Sequence, residues 1–339
     1  QDYCEVVYLE RTEGISSTDI RSEKNRLRIG LVGETETELT SLDKFLKEVK
    51  YVNGIEVVCA NSRTRSLPVI DDYQLLLQKV DAVYITSHPA KHYKQVKAAL
   101  LEKKHVLCES PITLSKKETK ELLGLADKNK CILMEGAKTA YTTAYERLIL
   151  LAKTGKIGNV LSVDATCTSM KRLSNYKKAD LENNWNTITE WGPPALLPVF
   201  QILGPGYKDK HILTRYLNKE LNYDGFTKID FVYEGAVASV KLAKGAKSEG
   251  ELIITGTKGY IYVPAPWWKT DYFEVRYENP MNNKRYFYQL DGEGIRYEIL
   301  AFVRMVESGK NAPEIGKSLS LAISYIMEAY YRGDVTELT

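Results

Sequence analysis

With 339 residues, 44% hydrophobic and 27% charged, the chain has the balance of a folded globular protein large enough for two domains. Its net charge of +3 is spread over lysine-rich stretches that alternate with acids and apolar residues, which argues against a nucleic-acid partner. No apolar run spans a bilayer and no signal peptide is visible, so no membrane partner is expected. The five cysteines (Cys4, Cys59, Cys108, Cys131 and Cys167) are dispersed without a CxxC, as expected of small buried hydrophobes in a reducing cytoplasm. His88, His92, His105 and His211 lack metal-ligand spacing, so no metal is expected.

In chain order, the stretch "RLRIGLVGETETELTSLDKF" opens with an apolar, β-prone run, Leu27–Val32, interrupted by Gly30. Gly33 stands where a helix should begin. Further strands are expected at Glu56–Ala60, Ala82–Thr86, His105–Cys108 and Cys131–Met134, with helix-period stretches at Lys91–Glu102 and Lys116–Lys128. Ser115, with Glu118 three residues on, has the spacing of a capping box. Continuously apolar strands alternating with helices imply an α/β, Rossmann-like, doubly wound parallel sheet over residues 26–151. Its ligand crevice is expected beyond the carboxyl ends of the strands, near Gly33, Asn61, Ser87 and Glu109.

After "KTGKIGNV" (Lys153–Val160) the pattern changes. Strands are expected at Leu161–Thr168, Lys228–Tyr233, Ala236–Leu242, Glu251–Thr255, Tyr260–Val263, Phe273–Tyr277 and Arg285–Gln289, with closing helices at Arg296–Val306 and Leu319–Tyr331. Residues 152–339 therefore read as an α+β substrate or oligomerisation domain with an open, mostly antiparallel sheet.

The phrases "VDAVYITSHPAKHYKQVKAAL", "KHVLCESPITLS", "ILMEGAKTAYTTAYERL", "LAKTGKIGNVLSV" and "ELIITGTKGYI" together resemble the glucose–fructose oxidoreductase/inositol dehydrogenase (Gfo/Idh/MocA) family, in order from about Arg26 to the end. The resemblance implies a Rossmann domain followed by an open-sheet domain. It also implies hydride transfer between NAD or NADP and a sugar, cyclitol or polyol, and homo-oligomers joined through the C-terminal sheet.

The family's functional positions are altered in this chain. Against its G-x-G-x-x-G/A loop, Gly33 fills the first glycine while Thr35 and Glu38 fill the next two. Glu34, Glu36 and Glu38 oppose a phosphate's charge; alternatively they form an acid-rich helical turn that complements the helix dipole. Asn61, Ser62 and Arg63 stand where an acid would hold the ribose of NAD, and either receive the 2′-phosphate of NADP or form a solvated loop. In "CESP", Ser110 replaces the lysine of the family's E-K-P motif, between Glu109 and Pro111. In "TEWGPPALLPVFQILG", Glu190 takes the family's aspartate position and Pro194 that of its histidine base. Proline has no titratable group, and no histidine occurs between His105 and His211 to replace it. Ala140 and Thr142 stand where the family tends to carry arginine and histidine.

Residues 1–25 resemble the C-terminal end of the glycerol-3-phosphate/ethanolamine-phosphate cytidylyltransferase family, in the run Arg11, Thr12, Glu13, Gly14, Ile15, Ser16, Ser17, Thr18. In that family the run contacts nucleotide phosphates, which implies Arg11, Thr12, Ser16, Ser17 and Thr18 as a phosphate motif; a polar N-capping loop is the alternative. The expectation is a remnant of, or linker to, an upstream nucleotidyltransferase domain. "PAPWWKTDYFEVRY" gathers aromatics that suit a core or subunit interface, or a sugar-binding platform.

Two functions follow. One is a catalytically degenerate family member, acting as a binding or assembly domain beside a nucleotidyltransferase and taking a small polyol or sugar. The other is an active NADP-dependent oxidoreductase with a non-standard base, Glu190 or Tyr141. His92 begins a helix, where a structural role is expected, and His88 lies closer to the expected crevice.

Overall fold

The computed structural model describes residues 26–62, 67–171 and 177–339. Five apolar runs become β1 (Leu27–Val32), β2 (Ile55–Ala60), β3 (Ala82–Ile85), β4 (His105–Glu109) and β5 (Leu133–Gly136), all parallel, in the order β2-β1-β3-β4-β5. In register, Ile29 sits between Val57 and Ala82. Helices α1 (Glu36–Glu48), α2 (Tyr73–Lys79), α3 (Pro89–Leu101) and α4 (Lys116–Asn129) connect these strands, which is why the strands are apolar on both faces. Strand order reverses between β1 and β3, the switch point beyond which an open α/β sheet forms its crevice.

The second sheet is built from β6 (Val160–Thr168), β7 (Asp209–Asn218), β8 (Tyr223–Val232), β9 (Val237–Ala243), β10 (Leu252–Gly256), β11 (Tyr260–Val263), β12 (Tyr272–Arg276), β13 (Lys284–Phe287) and β14 (Thr336–Glu337). Its order is β13-β12-β11-β10-β6-β9-β8-β7-β14, antiparallel except at β6–β9 and β7–β14. The remaining helices are α5 (Thr143–Lys153), α6 (Lys178–Asn183), α7 (Thr187–Leu203), α8 (Ile295–Ser308) and α9 (Lys317–Tyr331). Helix α7 lies across β6, β8 and β9. The opposite face of the sheet carries polar chains such as the Ser239–Asp230–Lys228 hydrogen-bonded row. Both expected sheets are therefore present, a Rossmann-like parallel one and a mostly antiparallel one.

Helix α7 was not expected, because Pro193, Pro194 and Pro198 lie inside it. Asn186 caps its start by accepting from the Thr189 N–H at 3.1 Å. The helix is then held by burial of Ile188, Ala195, Leu196, Val199 and Phe200, while Gly192 lets Met327 of α9 come close. Tertiary packing overrides local propensity here.

The two sheets share helices. Helix α8 returns from the second segment to pack on α1, and α9 packs on both α4 and α7. One continuous apolar cluster runs from Ile29 and Phe45 through Tyr145 and Ile188 to Phe302 and Tyr330. The capping box expected at Ser115 does not form. Ser115 is the N-cap residue of α4, but its hydroxyl donates to Glu328 of α9, whose carboxylate also accepts the Lys116 N–H at 2.8 Å. Cys59, Cys108, Cys131 and Cys167 are free and buried, as expected; Cys4 lies outside the described residues. Among the described residues, no helix is long and apolar enough to cross a membrane.

Candidate ligand-binding cleft

A cavity of about 320 Å³ opens where the carboxyl ends of β3, β4 and β5 meet α1 and α7. Glu109 lines it, as do Ser110, Glu190 and Pro194, which the sequence resemblance sets against the family's catalytic positions. Gly33, Asn61 and Ser87 do not, so the crevice lies further toward the second sheet than expected. Ser87 is fully buried, with its hydroxyl on Gln95 and its carbonyl against His92 Nε2 at 2.6 Å.

The glycine loop is closed by its own chain. Thr35 caps α1, and its hydroxyl accepts the Glu38 N–H at 3.4 Å. Reciprocally, one Glu38 carboxylate oxygen accepts the N–H groups of Glu34 (2.7 Å) and Thr35 (3.0 Å). Backbone N–H groups at a helix N-terminus are what a pyrophosphate would use, and here a carboxylate occupies them. Glu38 is only 3% exposed. Asn61 Oδ1 accepts the Gly33 N–H at 2.9 Å, and the Ser62 hydroxyl donates to the Gly33 carbonyl. Glu34 pairs with Lys91 at 2.6 Å. Gly33 itself is required by packing, since a Cβ there would sit 2.6 Å from the Thr86 hydroxyl. Gly30 faces α2, where a Cβ would meet Leu76 at 2.8 Å. A dinucleotide phosphate is disfavoured at this loop: the Glu34, Thr35 and Glu38 N–H groups are already engaged, and a second anion beside Glu38 meets like charge. At about 4 Å and an effective dielectric near 20, such a pair repels by roughly 4 kcal/mol, about a thousandfold in affinity. Arg63, and the phosphate motif Arg11, Thr12, Ser16, Ser17 and Thr18, lie outside the described residues.

At the β4 end, the Ser110 hydroxyl donates to the buried Glu135 carboxylate, and the Tyr84 hydroxyl donates to Glu109. Burial pushes both Glu109 and Glu298 upward, and the charge of Glu109 drives Glu298 further. Glu190, in the first turn of α7, is paired with Lys171 and with the buried Lys244, whose own pKa is lowered by burial. Tyr141, the other suggested base, is 4% exposed and donates to the Glu135 carbonyl at 3.2 Å, away from the cavity lining. Ala140 is buried, and the Thr142 hydroxyl donates to the Thr139 carbonyl.

His88 caps α3, accepting from the Ala90 N–H at 3.3 Å, and burial with the nearby His92 and Lys91 holds its pKa at about 4. Both ring nitrogens of His92 face carbonyls, of Pro111 and Ser87, yet burial outweighs these contacts and holds its pKa at about 4. A neutral ring can donate to only one of the two carbonyls.

The sequence patterns missed a cluster of lysines in the cavity wall. Lys44 of α1, Lys138 just after β5 and Lys269 just after β11 all line it, and all three pair with Glu293, at 3.1, 2.9 and 2.6 Å. Burial alone would raise the Glu293 carboxyl, but hydrogen bonds from Lys269, Lys138 and Lys44 hold it well below the usual carboxylate range. Glu293 sits at φ 55° between Gly292 and Gly294, both also at positive φ. This "GEG" is the sole local signal of the cluster, whose other members are scattered along the chain. The aromatic stretch divides. Trp267 is fully buried and donates to the Thr166 carbonyl, while Trp268 lines the cavity edge-on to Trp191 at 4.9 Å.

Residues 46–137 match the family described as "Oxidoreductase family, NAD-binding Rossmann fold", a match that begins downstream of the Gly33–Glu38 loop. The scyllo-inositol 2-dehydrogenase (NADP(+)) of Bacillus subtilis is 26% identical over 59% of this chain and 61% of its own length. The dTDP-3,4-didehydro-2,6-dideoxy-alpha-D-glucose 3-reductase of Streptomyces violaceoruber is 33% identical over 36% of this chain and 37% of its own. These matches thus span less than two thirds of either relative. The crystal structure of a 3-ketoreductase from Actinomadura kijaniata, in complex with NADP and TDP-benzene, superposes with a TM-score of 0.79 at 18% identity, covering 93% of this chain and 99% of that one.

Proposed function

This chain belongs to the Gfo/Idh/MocA oxidoreductase family, and from that premise we propose that it keeps the family's cleft between the two sheets as a ligand site while having given up nicotinamide-dependent hydride transfer. It then serves as a binding and assembly domain for a small polyol or sugar. The observation that carries this reading is the buried Glu38 carboxylate on the Glu34 and Thr35 N–H groups, which puts a negative charge beside the helix N-terminus that a cofactor's pyrophosphate would use. Ser110 and Pro194 add to it, because neither a short hydroxyl nor a proline ring performs the proton transfer that the family assigns to lysine and histidine. Titration of NADPH against the protein, followed by cofactor fluorescence, is expected to show no saturation up to millimolar concentration. Saturable binding below that, or recovery of bound NADP from the purified protein, overturns the reading.

The second reading is an NADP-dependent oxidoreductase, favoured by the names of the relatives and by Glu190, a carboxylate in the cavity wall beside Pro194. It requires Glu190 to leave its ion pairs with Lys171 and Lys244 and reach the substrate. NADPH oxidation or NADP reduction in the presence of scyllo-inositol or its ketone would establish it, and the Glu190→Gln variant would abolish it.

The assembly role has two parts. The exposed face of the second sheet, with Arg276 over the Tyr262 ring at 4.5 Å, is suited to a second copy of the chain, which sedimentation would detect as a dimer or tetramer. A nucleotidyltransferase attached upstream is supported by the run Arg11 to Thr18, and reading the gene on the 5′ side of the Gln1 codon tests it.

A further inference from the structure

We propose that the lysine end of the cleft binds a small polyhydroxylated anion, a sugar or polyol carrying a phosphate or carboxylate group. Three ammonium groups, brought from α1, from the turn after β5 and from the turn after β11, pair with a single carboxylate, and the other acids whose charge reaches Lys138, Glu109 and Glu298, are buried and pushed upward toward their neutral forms, so positive charge is in excess there. Holding one glutamate in place needs one lysine. Crowding three of them around it adds mutual repulsion, which an incoming anion relieves. Their side chains are 26–42% exposed, open enough to the cavity to receive a ligand. Glu293 is held in a left-handed backbone conformation that disfavours a non-glycine residue, and from there its carboxylate meets all three ammonium groups.

The adjoining wall suits a carbohydrate skeleton. Trp268 and Trp191 present aromatic surface to the cavity, and the Trp191 Nε1–H is buried without an acceptor among the described residues. Ser41 and Thr37 line the same space with hydroxyls engaged only in long, 3.5 Å hydrogen bonds. At about 320 Å³, the cavity is at the small end of the usual range for ligand sites, roughly 300–1,000 Å³, and suits a molecule of monosaccharide size. The inference rests on the cleft being a ligand site, as proposed above, and not on the loss of hydride transfer.

The full chain is titrated with glucose 6-phosphate, glucuronate, glucose and inorganic phosphate, at low and high salt, by calorimetry and tryptophan fluorescence. The sugar phosphate or the sugar acid is expected to bind at least about tenfold tighter than glucose, with the advantage shrinking in salt. Whichever of the two binds tighter identifies the anionic group. Equal affinity for glucose and its anionic forms, or no saturable binding of either anion, overturns the inference. Inorganic phosphate binding as tightly as glucose 6-phosphate overturns the polyol part. The Lys138→Gln/Lys269→Gln double variant is expected to lose about tenfold in anion affinity, and Glu293→Gln to gain several-fold; unchanged affinity in both overturns it. The wild-type comparison decides the matter if either variant fails to fold. NADPH is a separate arm. Its binding would overturn the loss of cofactor function and leave this inference standing, whereas silence of both sugar anions and NADPH would do the reverse.

Discussion

The two ends of the cleft handle negative charge in opposite ways. At the loop end, two N–H donors meet one buried carboxylate from the same helical turn. At the lysine end, three cations meet one carboxylate in a partly open space, and the site has charge to spare. An anion site built from backbone can be silenced by a single substitution that brings an acid to the right position of the first turn, since the donors are fixed by the helix. A site built from long side chains of distant segments cannot be filled so cheaply, and stays available for exchange.

This contrast can be broken by substitution. The largest effect is expected for Gly33→Val, whose added atoms would overlap Thr86 on the buried end of β3; overpacking of this kind costs about 1–3 kcal/mol, read as a lower midpoint in urea. A variant as stable as the wild type would mean the loop end is looser than its closed hydrogen bonding suggests. Next is Glu38→Ala, which leaves the Glu34 and Thr35 N–H groups without their acceptor and is expected to cost about 1 kcal/mol. If NADPH binding emerges in this variant, the carboxylate is confirmed as the blocking group.

The smallest effect is expected at the lysine end. Glu293→Gln should cost under about 1 kcal/mol, because the pairs are partly exposed and screened by salt. Its pH dependence is more telling. The folded pKa of Glu293 lies below its unfolded value, so its contribution is present above the unfolded value and is lost as pH falls through the depressed one. The stability difference between wild type and Glu293→Gln should therefore be flat near neutrality and vanish in strong acid. A difference that grows on acidification would contradict the lysine pairing.

Most strands were legible because their apolar runs are short, bounded by turns and buried on known faces: Tyr260–Val263 and Leu27–Val32 match to the residue. Helix α7 was illegible because three prolines argue against a helix that only packing sustains. Strand β7 (Asp209–Asn218) was missed as well; its alternation is obscured because Lys210 shares the more buried face with Ile212 and Thr214, while His211 and Arg215 lie on the other. At the site, the glutamates after Gly33 were visible as an obstacle to phosphate, but sequence does not say which of them folds back; the reciprocal bond to Thr35 singles out Glu38. The lysine cluster joins residues as far apart as Lys44 and Glu293, and only the folded chain brings them together.

The Glu328 carboxylate that caps α4 also has a kinetic consequence. With α9 bound to α4 through this cap and the Thr119–Ser324 hydroxyl pair, and with α8 against α1, the walls of the cleft are cross-braced on both sides. Ligand entry then needs no prior swing of one sheet relative to the other. In stopped-flow mixing, association should appear as a single exponential whose rate rises linearly with ligand concentration, without the plateau that a slow opening step imposes.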